Sequence, residues 1–423
     1  MNNKKSYTEN RVIFFDNLRY LFVLCVVLIH SGQAYTNMAK WWPVSDQTSK
    51  IIDPLFFLLN TFSLPLLFYI AGYFAVPVIQ KKGIGPFLKG KLKRLGIPWL
   101  VCILTICPVL PLVYHYTRND FTLSMSYWDL WVLLMRNMAE LNVSIINSMN
   151  ELMKNNLFYQ RYMWFLSLLL LFFFIFAAVY KAKRNWFDTT DRPVAFKKPS
   201  VLSTLKLLFA VGFLTFVGGG LMLGMMMLFA PKPFNPMGLF SLGNIIQFPM
   251  GLLFSYIIYF GFGIITYQRK WIERGIFPGH LKTWAISFVI LLIIYLYGFI
   301  MFIRGLEDYK YLFGFVSTLL TMPILGASAS FAIKYWNRPT TVDQSLASNS
   351  YSIYLSHYIF VQVFQLILYT VPVIPPLLKF GIVSVLTIAC SYLVSQFLIK
   401  PYPLITILGA IALLVVMVLV IHP

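Results

Sequence analysis

Eleven stretches of this 423-residue chain run apolar for about 18 residues or more, and that repetition constrains the fold more than any other feature. Each run is long enough for a helix to cross a hydrocarbon core about 30 Å thick. They fall near 18–35, 55–78, 95–116, 162–180, 202–228, 245–267, 284–303, 312–335, 353–373, 380–399 and 404–421. Pro-rich turns at Pro372 to Pro376 and Pro401 to Pro403 bound the last three, and a kink or re-entrant path at either turn would lower the count. Hydrophobic residues make up 59% of the chain and charged residues 11%, against about 25% charged in soluble domains. The chain therefore reads as an all-α polytopic membrane protein.

Charge gives the orientation. With the N-terminus in the cytoplasm, 24 of the 34 Lys and Arg residues fall on the cytoplasmic side and 10 outside. The acids divide 6 inside and 8 outside, so the bias lies in the basic residues, as the positive-inside rule requires. The two strongest basic loops, Lys81 to Arg94 and Lys181 to Lys198, are both inside. The second carries Pro193 and Pro199 and suits topology and anionic-lipid contact. The net charge of +20 is thus mainly a topology signal, and no soluble basic domain is present to bind nucleic acid. The first run contains Arg19 and His30 and has no small-residue cleavage pattern, so it reads as an uncleaved helix. Cys25, Cys102, Cys107 and Cys390 all lie in apolar runs, and no metal or disulfide spacing is visible. The longest outer segment, Thr117 to Arg161, has apolar residues at three- and four-residue spacing and is expected to form one or two helices on the membrane face, either a lid or a simple connection.

A chargeable residue inside a bilayer is costly and is a functional candidate by default. Asp16-Asn17-Leu18-Arg19 opens the first span, and His30 follows Arg19 by eleven positions. At 1.5 Å per residue, His30 lies roughly 16 Å along the helix from Arg19, past mid-depth. Imidazole titrates near neutrality and is the most common general base, while a bland reading is a histidine bonded to a neighbouring helix. Lys91 and Arg94 are three apart at the start of span three, a pair that suits phosphate as well as membrane anchoring. Tyr351, Tyr354 and His357 open span nine, with His357 expected to sit shallower than His30; interfacial anchoring is an equal reading. Trp164-Phe165-Leu166 begins span four as a candidate aromatic belt. No Asp or Glu falls inside any span as drawn, which weighs against a proton- or ion-coupled transporter.

These residues together resemble the type-3 family of polytopic bacterial membrane acyltransferases. Arg19 followed by His30 resembles that family's Arg-x10-His signature. Leu67-Phe68-Tyr69-Ile70-Ala71-Gly72-Tyr73-Phe74 resembles its Phe-x-x-Gly-Tyr stretch. Lys91-x-x-Arg94 before Leu95-Gly96-Ile97-Pro98 resembles its Arg-x-x-Arg motif, with Lys91 in place of the first arginine, which keeps charge but loses the planar fork. Trp164-Phe165-Leu166 and Tyr351 to His357 are similar to two further family stretches. The resemblance spans roughly residues 11 to 400. It implies a core of about ten helices over 1–400, with 401–423 an additional C-terminal helix. The start Asp16 to Arg19 and the stretch Arg94 to Pro98 resemble the branch typified by glucan biosynthesis protein C.

The resemblance implies transfer of an acyl group, acetyl or succinyl, from cytoplasmic acyl-CoA to a hydroxyl on a cell-envelope glycan or related acceptor, in the cell membrane. Acyl-CoA would be a donor substrate and not a permanently bound cofactor. His30 would be the base, while Arg19, Lys91 and Arg94 would hold the donor. Tyr351, Tyr354, His357 and Asp16 are candidates for the channel or for an oxyanion donor. Two rival classes are a transporter or flippase for lipid-linked sugars and a structural subunit of an envelope complex. The missing repeat symmetry counts against the first, and the second predicts that His30 and Arg19 are both replaceable.

Overall fold

The computed structural model describes residues 13–421 except 124, 141, 188–199, 230–234, 236–237, 274–276, 307 and 339; most of the basic 181–198 loop, with Pro193 and Pro199, lies outside the described residues. Eleven helical segments among the described residues are long and apolar enough to cross a membrane. The chain is an all-α, multi-pass membrane protein.

The first span is α1 (Ile13–Gly32) and the second α2 (Ile52–Lys82). Gly83, at φ 78°, ends α2 and returns its N–H to the Ile79 carbonyl, a left-handed stop that a side chain would strain. The third span is not one helix. It comprises α3 (Ile84–Lys91), a π-helical turn (Leu92–Gly96), α4 (Ile97–Thr105) and α5 (Val109–Arg118). Pro108 stands at the break before α5, where it lacks the N–H that would continue the ladder. Span four is α8 (Trp164–Ala182), and α9 (Val201–Phe229), α10 (Leu253–Gln268), α11 (Leu281–Ile303) and α12 (Tyr309–Tyr335) follow it. The last three are α13 (Thr341–Tyr369), α14 (Pro376–Val394, extended by a π turn over Ser395–Ile399) and α15 (Pro403–Val420). The two Pro-rich turns separate helices and do not remove a span.

The segment between spans three and four is less helical than its spacing suggests. It holds α6 (Tyr127–Ala139), strand β1 (Val143–Ile146) and the short α7 (Met149–Lys154). β1 pairs antiparallel with β2 (Leu239–Leu242), which pairs with β3 (Ile246–Pro249). Four-residue strands are too short to show a period, so they escaped the pattern. The sheet fastens the loop after span three to the loop after span five.

α1 begins on one face of the bundle, the near face, and ends on the opposite, far face. It packs on α2 and α13, and α13 packs on α14. α2 also packs tightly on α10. A Cβ on Gly72 would lie 2.1 Å from the Phe260 carbonyl oxygen, and one on Gly263 would lie 2.1 Å from that of Tyr69. Small residues let the two backbones touch, as is usual between membrane helices. The Gly of the Phe-x-x-Gly-Tyr stretch therefore has a packing explanation. α15 has no buried residue and stands at the margin of the bundle.

Candidate active site

Arg19 and His30 are eleven residues apart on α1, which is three turns to within about 20°, so they share a face at different depths. That face meets α13 at both levels. At the near end, Arg19 pairs with Asp16 at 2.9 Å and donates to the Ala347 carbonyl at 3.2 Å. Deeper, the His30 ring stacks on the His357 ring with centroids 5.3 Å apart and planes 28° from parallel. His357 is therefore level with His30, not shallower. The reason is that α13 starts at Thr341, well before the apolar run; the polar Asp343, Gln344 and Asn349 hide its first three turns from a hydropathy reading.

Both imidazoles present the same nitrogen. His30 Nδ1 lies 2.8 Å from Gln33 Oε1, and His357 Nδ1 lies 2.7 Å from the Tyr354 carbonyl. A carbonyl accepts, so each Nδ1 carries the proton and each Nε2 keeps its lone pair. His357 is fully buried and its Nε2 has no hydrogen-bond partner, whereas His30 is partly exposed.

Trp42 and Tyr358 complete the enclosure. Trp42 stacks on His30 at 5.7 Å and 12°, and Tyr358 meets His30 edge-on at 4.9 Å. Trp42 belongs to the far-face loop between α1 and α2, which closes over the site. Gln365 locks it there, accepting from Trp42 Nε1 at 2.7 Å and donating to the His30 and Ser31 carbonyls at 3.2 and 3.1 Å. Arg118 grips the loop through the carbonyls of Lys40, Trp42 and Pro43. Asp53 accepts from Thr36 and from both nitrogens of Asn37, and a buried ion pair joins Asp46 to Lys379 at 2.6 Å. The roof over the site is this loop, and the 117–161 segment, expected as a lid or a simple connection, is tied to it through Arg118.

Carboxylates are correspondingly nearer the spans than the apolar runs suggest. Asp16, Asp53 and Asp343 each lie in the first turn of a spanning helix, and Asp53 and Asp343 are buried. The expectation of spans free of acids fails because the helices start earlier than their apolar runs. Asp343 accepts from Tyr20, Trp336 and Thr340, and its own N–H is capped by the Thr340 hydroxyl. All three are occupied in joining or starting helices.

The other expected residues divide. Arg94 lies 5.7 Å over the Tyr351 ring, and the Tyr351 hydroxyl donates to the Arg94 carbonyl at 2.6 Å. Arg19 and Arg94 thus flank α13 one turn apart, at Ala347 and Tyr351. Lys91 turns elsewhere: its ammonium lies 3.7 Å from the centre of the Phe173 ring on α8 and 5.3 Å from that of Phe87. Tyr354 is buried with its hydroxyl donating to the Tyr162 carbonyl, so its proton is already committed. Tyr162 in turn donates to the Leu355 carbonyl and stacks on Tyr358 at 4.4 Å.

One residue beside the cluster looks, in the sequence, like any other basic residue of the outer side. Arg161 stands just before Trp164 and is 2% exposed, at φ 53°. Its neighbour Gln160 holds it there. Gln160 Oε1 accepts from Trp99 and Ser167, its Nε2 donates to the Asn244 and Ile245 carbonyls, and its N–H donates to Gln247. The guanidinium lies within electrostatic reach of Tyr358, Cys107 and Tyr159. Burial raises the Tyr159 phenol above its ordinary range, and the Arg161 charge pulls against that rise.

Comparison with known protein families places the whole of this arrangement inside one domain. The model of an acyltransferase domain, the type-3 acyltransferases, matches residues 12–396. The chain belongs to this acyltransferase family. The match takes in α1 through α14 and ends before α15. No curated protein and no solved structure matches the chain. As a member of the family it is an enzyme that transfers acyl groups other than aminoacyl groups.

Proposed function

We propose that this acyltransferase moves an acetyl or succinyl group from cytoplasmic acyl-CoA to a hydroxyl of a cell-envelope glycan or related acceptor, with His30 as general base. In this reading the protein resides in the cell membrane with its N-terminus in the cytoplasm, and the near face is the donor side. The observation that carries the proposal is the placing of Arg19 and His30 on one face of α1, both against α13.

CoA phosphates would dock at the near face on Arg19 and Arg94, through charge-assisted hydrogen bonds. Lys91 would join them by leaving its seat on Phe173. The pantetheine arm would then lead the thioester up toward His30, about 16 Å along the helix from Arg19. His30 Nε2 takes the proton of the acceptor hydroxyl as the oxygen attacks the thioester carbonyl. The C–S bond breaks and CoA leaves as the thiolate, which is protonated. General-base help of this kind contributes about 10²–10⁴-fold. His357 lies close enough to share the proton traffic, and Gln33 fixes the His30 tautomer.

The test is transfer of radiolabelled acetyl-CoA and succinyl-CoA by purified wild-type and His30→Ala protein in detergent. Loss of turnover in a folded variant is the expected result. Full activity in His30→Ala would reject this mechanism, and no turnover or CoA binding by wild type would return the transporter reading.

A further inference from the structure

Arg161 carries a charge that the fold leaves unbalanced. Among the described residues no carboxylate pairs with it. Its Nη1 donates to the Met153 thioether, a weak acceptor, and its guanidinium carbon lies 5.3 Å from the centre of the Tyr159 ring. Its Nε is buried and without a partner. Burying a charge without a counter-charge is costly, and such a residue persists in a fold that gains something from it. The surroundings hold it fast: the Gln160 network fixes the backbone on one side, and the stack of Tyr162 on Tyr358 closes the other. Tyr358 is also the ring that meets His30 at 4.9 Å. Arg161 thus adjoins Tyr162, whose ring stacks on Tyr358 and meets His357 edge-on at 5.3 Å, and it stands beside the aromatic cluster that holds the candidate base.

The geometry of the guanidinium narrows what it can receive. With Nη1 turned to Met153, the free edge is Nε with Nη2. That edge is a two-pronged fork matched to a carboxylate, which a lysine could not copy. We propose that Arg161 receives a carboxylate carried by a substrate bound at His30. The proposal rests on the acyl-transfer reading above. The carboxylate has two possible carriers with the same chemistry: the free end of a dicarboxylic acyl group on the donor, or an acidic sugar on the acceptor.

The experiment uses the full-length protein purified in detergent, as wild type, Arg161→Gln and Arg161→Lys. Turnover is measured with succinyl-CoA and acetyl-CoA as donors, and with hexose and hexuronate oligosaccharides as acceptors. Binding of free succinate and free glucuronate is measured alongside by calorimetry, without turnover. In Arg161→Gln, kcat/KM is expected to fall about 10- to 100-fold further for the carboxylate-bearing substrate than for its neutral counterpart, the loss typical of a charged hydrogen bond. A loss following succinyl-CoA assigns the donor, and one following the hexuronate assigns the acceptor. Equal losses across all four substrates, or none in any, would overturn the proposal. If Arg161→Gln does not fold, Arg161→Lys decides, because it keeps the charge and loses the fork; unchanged selectivity there also overturns it. If wild type turns over no acyl-CoA, the acyl-transfer reading fails separately. The carboxylate site then stands or falls on whether Arg161→Lys weakens succinate or glucuronate binding.

Discussion

Removing the ammonium from the Asp46–Lys379 pair should unseat the roof over His30. Lys379 is fully buried at the start of α14, and its Nζ lies 2.6 Å from Asp46 Oδ2 in the loop that carries Trp42. The Asp46 side chain is 6% exposed. Lys379→Met would leave that carboxylate almost wholly out of water with no cation. Breaking one member of a buried pair costs about 3–5 kcal/mol. At about 1.4 kcal/mol per decade, that shifts the folding equilibrium by roughly 10²–10⁴-fold. The double variant Asp46→Leu with Lys379→Met removes both charges and should recover most of the loss, since apolar replacement of a whole pair is often neutral or better. The assay is equilibrium unfolding in mixed micelles, followed by tryptophan fluorescence, on wild type, both single variants and the double. A coupling of at least about 2 kcal/mol is expected, within the range for residues in contact. Single variants that each cost under about 1 kcal/mol, or a double equal to the sum of the singles, would refute the reasoning. The same cycle read by acyl transfer should show activity lost in the singles and partly restored in the double.

Three further outcomes follow from the geometry. Gly263→Ala should lower thermal stability in detergent by about 1–3 kcal/mol, because its Cβ would lie 2.1 Å from the Tyr69 carbonyl oxygen and backbone cannot yield; an unchanged Tm would refute the close contact. Gln365→Leu should cost about 1–3 kcal/mol by leaving the buried Trp42 N–H unpaired, with a matching rise in Trp42 quenching by acrylamide; silence in both measurements would remove Gln365 from the roof. His357→Phe keeps an aromatic stack on His30 and deletes Nε2. It should reduce kcat about 10²-fold while donor KM stays put, and an equal rate would make His357 a packing residue.

The spans were legible because a membrane helix must be apolar along its length, and every run drawn from the sequence holds a spanning segment, although the third is broken and the sixth begins as strand β3. Their starts were not. Asp343 and Asp53 are polar residues satisfied by Tyr20, Thr36 and Asn37, and a hydropathy window cannot see partners that come from another span or from a loop. His30 and Arg19 stood out because each is a titratable group within an apolar run. Arg161 and Trp42 did not, since each lies at a span edge or in a loop, where arginine and tryptophan are ordinary. What sets them apart is tertiary: the missing carboxylate beside one, and the imidazole beneath the other.

The pairing of α1 with α13 also has a consequence for how the protein is made. Arg19 and Asn17 bond to the carbonyls of Ala347 and Trp336, and His30 stacks on His357. α1 thus carries polar groups whose partners are synthesised more than three hundred residues later. Until the ninth span inserts, Arg19 and His30 sit in lipid or against some temporary neighbour. The candidate site is among the last parts of the bundle to assemble, and a chain arrested before α13 would hold His30 and lack the ring on which it stacks.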